Sequence, residues 1–114
     1  PFPAVVSVAW NDRLAAAAQA HSSDMARQGF FGHTGSNGLT VGDRAAAAGY
    51  VWTVVAENIA AGPASLQTVL IGWMNSTGHC ENLMRANVTD IGLSCMRREG
   101  SGQTAYWTLV LARP

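Results

Sequence analysis

Apolar residues recur at helical spacing in the first half of the chain. Between Arg13 and Gln28, residues three and four apart share one apolar face: Leu14, Ala17, Ala18, His21 and Met25. Asn11 and Asp12 stand before this stretch and can cap free backbone N–H groups, and Gly29 follows it as a left-handed cap. The pattern predicts a helix over Arg13 to Gln28.

Two more helices are predicted further along. Thr40 can cap a helix that runs through Ala48. Ser65 can cap another from Leu66 to about Asn75, with an apolar stripe formed by Leu66, Val69, Leu70 and Trp73. His79 to Met84 is predicted to form one more helical turn.

Extended segments dominate the rest. Tyr50 to Val55 is rich in β-branched and aromatic residues, which predicts a strand. Asp90 to Arg97 and Gln103 to Ala112 flank a Gly-rich turn and predict a β-hairpin, whose second strand alternates clearly. Helices first and a hairpin last indicate an α+β fold, and no linker or repeat divides residues 1–114, so one domain is expected.

Between the first two predicted helices lies a short segment that combines two aromatic residues with a polar loop. Phe30 and Phe31 are predicted to insert into the core. His33 to Leu39 is a polar, Gly-rich loop, and loops on a rigid scaffold are where functional residues concentrate.

Composition narrows the function classes. Hydrophobic residues make up 48% and charged residues 12% of the 114 residues, which excludes a disordered chain. The net charge is zero and the seven basic residues, all arginine, are scattered, so nucleic-acid binding is not expected. No apolar stretch reaches the length of a transmembrane helix, and no membrane-spanning segment is predicted.

Four side chains are candidates for chemistry. His21 lies on the apolar helix face and is interpreted as a hydrogen-bonded core histidine. His33 begins the polar loop, and alone it is better explained by a bond to nearby backbone. His79 follows a glycine, and alone it is consistent with either a structural or a functional role. Glu57 lies between apolar neighbours, so its carboxylate is expected to be paired or functional.

The residues alone leave several alternatives open. His33, Glu57 and His79 match the ligand types of a site for zinc or a similar divalent ion, and they equally match a general acid–base set. Spacing does not bring the three together. Cys80 and Cys95 either form a disulfide or are two separate thiols.

A series of short motifs resembles a known family. In order along the chain, these are Ala20-His21-Ser22-Ser23-Asp24-Met25-Ala26, Phe30-Phe31-Gly32-His33, Ala48-Gly49-Tyr50, Glu57-Asn58-Ile59-Ala60-Ala61-Gly62, Gly72-Trp73-Met74-Asn75-Ser76-Thr77-Gly78-His79, Ile91-Gly92-Leu93 and Tyr106-Trp107. Their order and spacing resemble bacterial members of the CAP superfamily (cysteine-rich secretory proteins, antigen 5 and pathogenesis-related 1 proteins), also called SCP domains. The resemblance extends from Trp10 to near the end of the chain.

The resemblance implies a fold, a location and a site. The fold would be a three-layer α-β-α sandwich around a three-stranded antiparallel sheet, and the protein would be secreted, extracellular or periplasmic. His33, Glu57 and His79 would line one cleft that holds zinc or another divalent cation. The family's second glutamate is replaced by Ser76, so its ligand set is incomplete, and Asn82 is another candidate neighbour of the cleft.

Two further expectations follow from the resemblance. An oxidising compartment would favour a Cys80–Cys95 disulfide, which predicts that a reductant lowers thermal stability. The helix that family members carry before the segment near Trp10 has no counterpart in this sequence, and an incomplete helical layer would expose apolar surface.

Three functions are compatible with these features. The first is a secreted binding module whose cleft holds a divalent metal together with a small-molecule, lipid, sterol or peptide ligand. The alternative is a metal-assisted peptidase or other hydrolase that uses the same cleft. The third is a structural domain with a vestigial site. The missing second glutamate favours a non-catalytic role.

Overall fold

The computed structural model describes residues 8–83, 87–100 and 104–114. Within these ranges four helices and four strands follow one another: β1 (Ala9–Trp10), α1 (Asp12–Gln28), α2 (Val41–Ala47), β2 (Val54–Ala61), α3 (Leu66–Met74), α4 (Thr77–Leu83), β3 (Asp90–Arg97) and β4 (Ala105–Arg113). Of the predicted elements, position 84 and positions 101–103 lie outside the described residues.

The sheet forms the middle layer of an α-β-α sandwich. Its strand order is β1-β3-β4-β2, and both long neighbours of β4 run antiparallel to it. On one face, α1 and α2 pack on Val110 and Ala112; on the other, α3 packs on Leu109 and Leu111. The central strand β4 is therefore buried on both faces, and the predicted α+β sandwich is confirmed.

The sheet has one strand more than predicted. Ala9 and Trp10 form β1, which pairs in parallel with Asp90 and Ile91 of β3. Two backbone hydrogen bonds hold it, from the Ala9 N–H to Thr89 O and from the Asn11 N–H to Ile91 O, both 2.8 Å long. A strand of two residues is too short to give a periodic pattern, so the sequence did not reveal it.

Local chemistry explains the first two helix boundaries. The Asn11 side chain accepts hydrogen bonds from the Arg13 and Leu14 amides, and Gly29 closes α1 with a φ of 68°. Thr40 and Asp43 form a reciprocal capping box at the start of α2. These positions agree with the predicted caps, and all five residues of the predicted apolar face of α1 are buried.

The first predicted strand is displaced along the chain. The extended segment was expected at Tyr50 to Val55, but β2 is Val54–Ala61 and contains Glu57 and Asn58. Consecutive strand residues point to opposite faces, so these two polar side chains enter different layers of the sandwich. The polar pair interrupted the apolar pattern that the prediction relied on.

The outer edge of β2 is closed by side chains from the α3–α4 layer. Trp73 Nε1–H donates to the Ile59 carbonyl at 3.0 Å, and Asn82 Nδ2–H donates to the Glu57 carbonyl at 3.3 Å. An open strand edge can pair with other chains, and these bonds remove two of its acceptors. They also fix α3 and α4 against the strand that holds Glu57.

The prediction of a disulfide between Cys80 and Cys95 is wrong. Both cysteines are free: Cys80 lies on α4, and Cys95 is an exposed residue of β3. A disulfide requires Cα atoms within about 7 Å and Cβ atoms directed at each other, conditions that compartment alone cannot supply. Instead, Cys80 lines a small surface cavity with Met74 and Glu81.

A reductant is therefore expected to leave stability unchanged, opposite to the sequence-based expectation. The thermal midpoint, measured by circular dichroism with and without excess dithiothreitol, should agree within error. A cysteine-to-serine double variant, C80S/C95S, serves as the control and should show the same insensitivity. A fall of several degrees with reductant in the wild type alone would establish the bond.

Candidate functional site

A buried carboxylate on β2 is the centre of the candidate site. Glu57 faces the α1–α2 layer, and its side chain is 2% exposed. Its Oε1 accepts a hydrogen bond from His33 Nδ1–H at 2.9 Å, and its Oε2 accepts one from Arg44 Nη2–H at 2.5 Å. Both carboxylate oxygens are thus engaged by side chains from outside the strand.

The loop of residues 33–39 is held from three sides. Arg44 Nη1–H donates to the carbonyls of His33 and Leu39, each at 3.0 Å. Asp24 on α1 accepts from the Ser36 amide at 2.8 Å and from its hydroxyl at 2.6 Å. These bonds explain how a Gly-rich loop can hold one conformation and present His33 in a defined direction.

The hydrogen bond to Glu57 fixes how His33 is presented. A carboxylate can only accept, so Nδ1 carries the proton and Nε2 is the nitrogen available to a ligand. The His33 side chain is 57% exposed, whereas its partner Glu57 is buried. The pair therefore offers one oriented ring nitrogen at the protein surface.

His21 supports the same loop from inside the core. Its side chain is fully buried, and Nε2–H donates to the Gly32 carbonyl at 2.7 Å. Nε2 also lies 4.0 Å from Glu57 Oε1. The interpretation of His21 as a hydrogen-bonded core residue is confirmed, and the structure adds that it adjoins the Glu57 carboxylate.

Burial lowers the pKa of His21, although the nearby Glu57 carboxylate acts in the opposite direction. Below pH 6.5, the ordinary pKa of a histidine side chain, the unfolded chain binds a proton at His21 that the folded chain does not. Stability should therefore fall as the pH drops from 6.5 towards the lower pKa of the folded state.

Thermal midpoints measured between pH 7.5 and pH 5 should show this loss, and His21→Gln should have a flatter profile. The Asp24 pKa does not interfere: burial acts to raise it, but the hydrogen bonds from Ser36 outweigh burial and hold it below 3.8. An unchanged slope in the His21 variant would refute this assignment.

His79 is not bonded to His33 or Glu57 in the described part of the chain. It lies on α4, and its backbone carbonyl accepts from Asn58 Nδ2–H at 3.1 Å. Asn58 points into the α3–α4 layer, opposite to Glu57. Across the ranges described by the structure, the His79 ring forms no hydrogen bond with His33 or Glu57. The structure thus brings two of the three predicted site residues into contact.

Ser76 and Asn82 lie at or near α4 and make hydrogen bonds there. The Ser76 carbonyl accepts from the Cys80 amide at 2.8 Å, at the start of α4. Asn82 donates to Asn58 Oδ1 at 3.0 Å and to the Glu57 carbonyl. The two bonds of Asn82 join α4 to β2.

The donor set does not fit a resident metal ion. No three His, Cys, Asp or Glu side chains within residues 8–83, 87–100 and 104–114 are grouped so that they could share an ion. Both oxygens of Glu57 are occupied, one of them by a guanidinium. A divalent ion needs several free donors, and it would approach a positive charge here.

A cavity of about 710 Å³ lies between α1 and α2, behind the loop. Small apolar side chains from both helices line it, including Ala16, Ala20 and Ala47, together with Asp24 and Arg44. Its volume is within the range of small-molecule sites. Arg44 lines this cavity and also contacts Glu57, so it connects the two features.

The comparisons with known proteins agree with this fold. Residues 4–111 match the model of the CAP family, described as the cysteine-rich secretory protein family. The chain therefore belongs to the CAP family, as the motif order had indicated.

Two Bacillus subtilis proteins are similar in sequence. The uncharacterized protein YkwD is 32% identical over 83 residues, which cover 73% of this chain and 32% of that protein. The uncharacterized membrane protein YlbC is 30% identical over 93 residues, covering 78% of this chain and 26% of that protein. The chain thus spans about a third or less of the length of these relatives.

Two solved structures extend the comparison. An extracellular SCP-domain protein from Bacillus anthracis superposes with a TM-score of 0.82 at 30% identity, covering 94% of this chain and 34% of that one. An outer surface protein from Borrelia burgdorferi gives 0.83 at 20% identity, with 96% and 79% coverage, and supports the fold alone. No helix among the described residues is long and apolar enough to cross a membrane.

Proposed function

We propose that this CAP domain is a binding module of an exported bacterial protein, and that its ligand contacts His33. The observation that supports the proposal is the exposed His33 ring, whose Nδ1 is held by the buried Glu57. A ring fixed in one orientation loses little entropy when a ligand donates a hydrogen bond to Nε2. Export is supported by the extracellular relative from Bacillus anthracis.

The surroundings of His33 favour an apolar ligand with a polar group. Phe31, two residues before it, is 55% exposed, contrary to the prediction that it inserts into the core, whereas Phe30 packs against Met25 and Ile59. The cavity behind the loop has a mixed lining, in which small apolar side chains of both helices lie beside polar ones. A lipid, a sterol or a peptide can supply both apolar contact and a hydrogen-bonding group, and these remain the ligand classes of the proposal.

Titration followed by ¹⁵N–¹H correlation spectra tests this function. Palmitate, cholesterol in cyclodextrin and a capped alanine hexapeptide would represent the three ligand classes. At least one probe should shift the signals of residues 31–39. His33→Ala should weaken its binding at least tenfold, and Thr34→Ala, an exposed neighbour, should not. Binding by none of the probes, or equal binding by the His33 variant, would refute the proposal.

No observation favours the hydrolase. Glu57 has neither oxygen free to activate a water, and in the described chain His79 is not bonded to the pair. The proposed role is therefore binding without chemistry on the ligand.

A further inference from the structure

One guanidinium connects the candidate site to the loop that presents it. Arg44 is 7% exposed and bonds Glu57 through Nη2, and through Nη1 it bonds the carbonyls at both ends of the loop, His33 and Leu39. Arginine suits this position because its planar group directs several N–H bonds at once and stays charged when buried. Arg44 was not among the residues that the sequence pattern predicted for the site.

The charges of Glu57 and Arg44 balance each other without a metal ion. Glu57 is buried and negative, and Arg44 is buried and positive, with 2.5 Å between Nη2 and Oε2. A buried carboxylate requires such a partner, which in other carboxylate sites is a metal ion. A divalent ion added at Glu57 would have to displace the guanidinium or lie beside it, and both are unfavourable in a medium of low dielectric constant.

We propose that Arg44 takes the place of a metal ion at Glu57. It is a positioning residue with two roles: its charge neutralises the carboxylate, and its bonds to the loop carbonyls keep His33 Nε2 directed outwards. The part that concerns ligand contact rests on the proposed binding function, whereas the replacement of a metal by Arg44 does not. Ligand capture by this domain is accordingly independent of metal.

Calorimetric titration with zinc chloride tests the charge role. The wild-type domain, first dialysed against chelator, should show no saturable binding at micromolar zinc. Arg44→Gln removes the cation and frees Glu57 Oε2, so zinc affinity should rise at least tenfold. Arg13→Gln is the matched control, because it makes the same charge change at an exposed site on α1, and it should behave like the wild type.

Arg44→Lys separates the two roles and guards against unfolding of the glutamine variant. Lysine keeps the charge but lacks the two separate nitrogens with which Arg44 reaches Glu57 and the loop carbonyls. Zinc should therefore still not bind, while the signals of residues 33–39 broaden. Stoichiometric zinc in the wild type, lost in His33→Ala, would overturn the proposal without any Arg44 variant. Failure of a folded Arg44→Gln domain to gain zinc would also overturn it.

The proposal and the binding function fail in different experiments. Zinc uptake by the wild type would refute the role of Arg44 and leave the palmitate, cholesterol and peptide titrations unaffected. Absence of binding in those titrations would refute the function, while the zinc result would still decide what neutralises Glu57.

Discussion

Replacing Gly92 with alanine is expected to destabilise the domain by about 3 kcal/mol, the upper end of the usual cost of overpacking. A Cβ at this position would lie well under 3.0 Å from backbone atoms of Leu14 and Ala15. Backbone cannot rotate away as a flexible side chain can. The added methyl group would therefore push α1 away from β3, and urea denaturation would report the loss.

Gly72 provides the matched control. It lies inside α3, where an added Cβ meets nothing within 4 Å. The same substitution there should stabilise the domain by about 0.5–1 kcal/mol, because glycine is a poor helix former. If Gly92→Ala were tolerated as well as Gly72→Ala, the close contact between α1 and the sheet would not be needed for stability.

The second large effect is expected at Arg44. Arg44→Ala should lower the free energy of unfolding by about 3–5 kcal/mol, since it leaves the buried Glu57 carboxylate without its cation. The double variant R44M/E57L replaces the pair with apolar side chains and should recover much of this loss. Arg13→Ala, at an exposed arginine that bonds only Gly49 O among the described residues, should cost less than about 1 kcal/mol.

Urea unfolding of the four proteins would test this expectation. A small cost for Arg44→Ala, close to that of Arg13→Ala, would show that water or His33 can compensate Glu57. Failure of the double variant to recover stability would show that the loop contacts of Arg44, rather than its charge, dominate.

The sequence predicted the elements whose pattern follows from burial on one face. The α1 stripe and the β3–β4 hairpin are examples, because their apolar residues repeat with the helix and strand periods. It failed where polar residues interrupt a strand, as Glu57 and Asn58 do in β2. Phe31 was misplaced because composition does not distinguish a core aromatic from an exposed one.

The sequence predicted part of the site, and the part that it missed has a similar physical explanation. Glu57 attracted attention as a carboxylate among apolar residues, and the same criterion applied to Arg44, which precedes four alanines, would have identified its partner. The contact between His33 and Glu57 depends on how a loop returns to β2. No local pattern specifies such a return, and family motif order was the only sequence signal for it.

The position of β4 has a consequence for how the chain is made. Both core layers require β4, which is the last of the described strands. Its partner β2 precedes it by more than 40 residues, since Ala61 pairs with Tyr106. Synthesis proceeds from the N-terminus, so the sheet cannot close until β4 has been made. A chain exported as proposed would thus keep this domain open until β4 has been made.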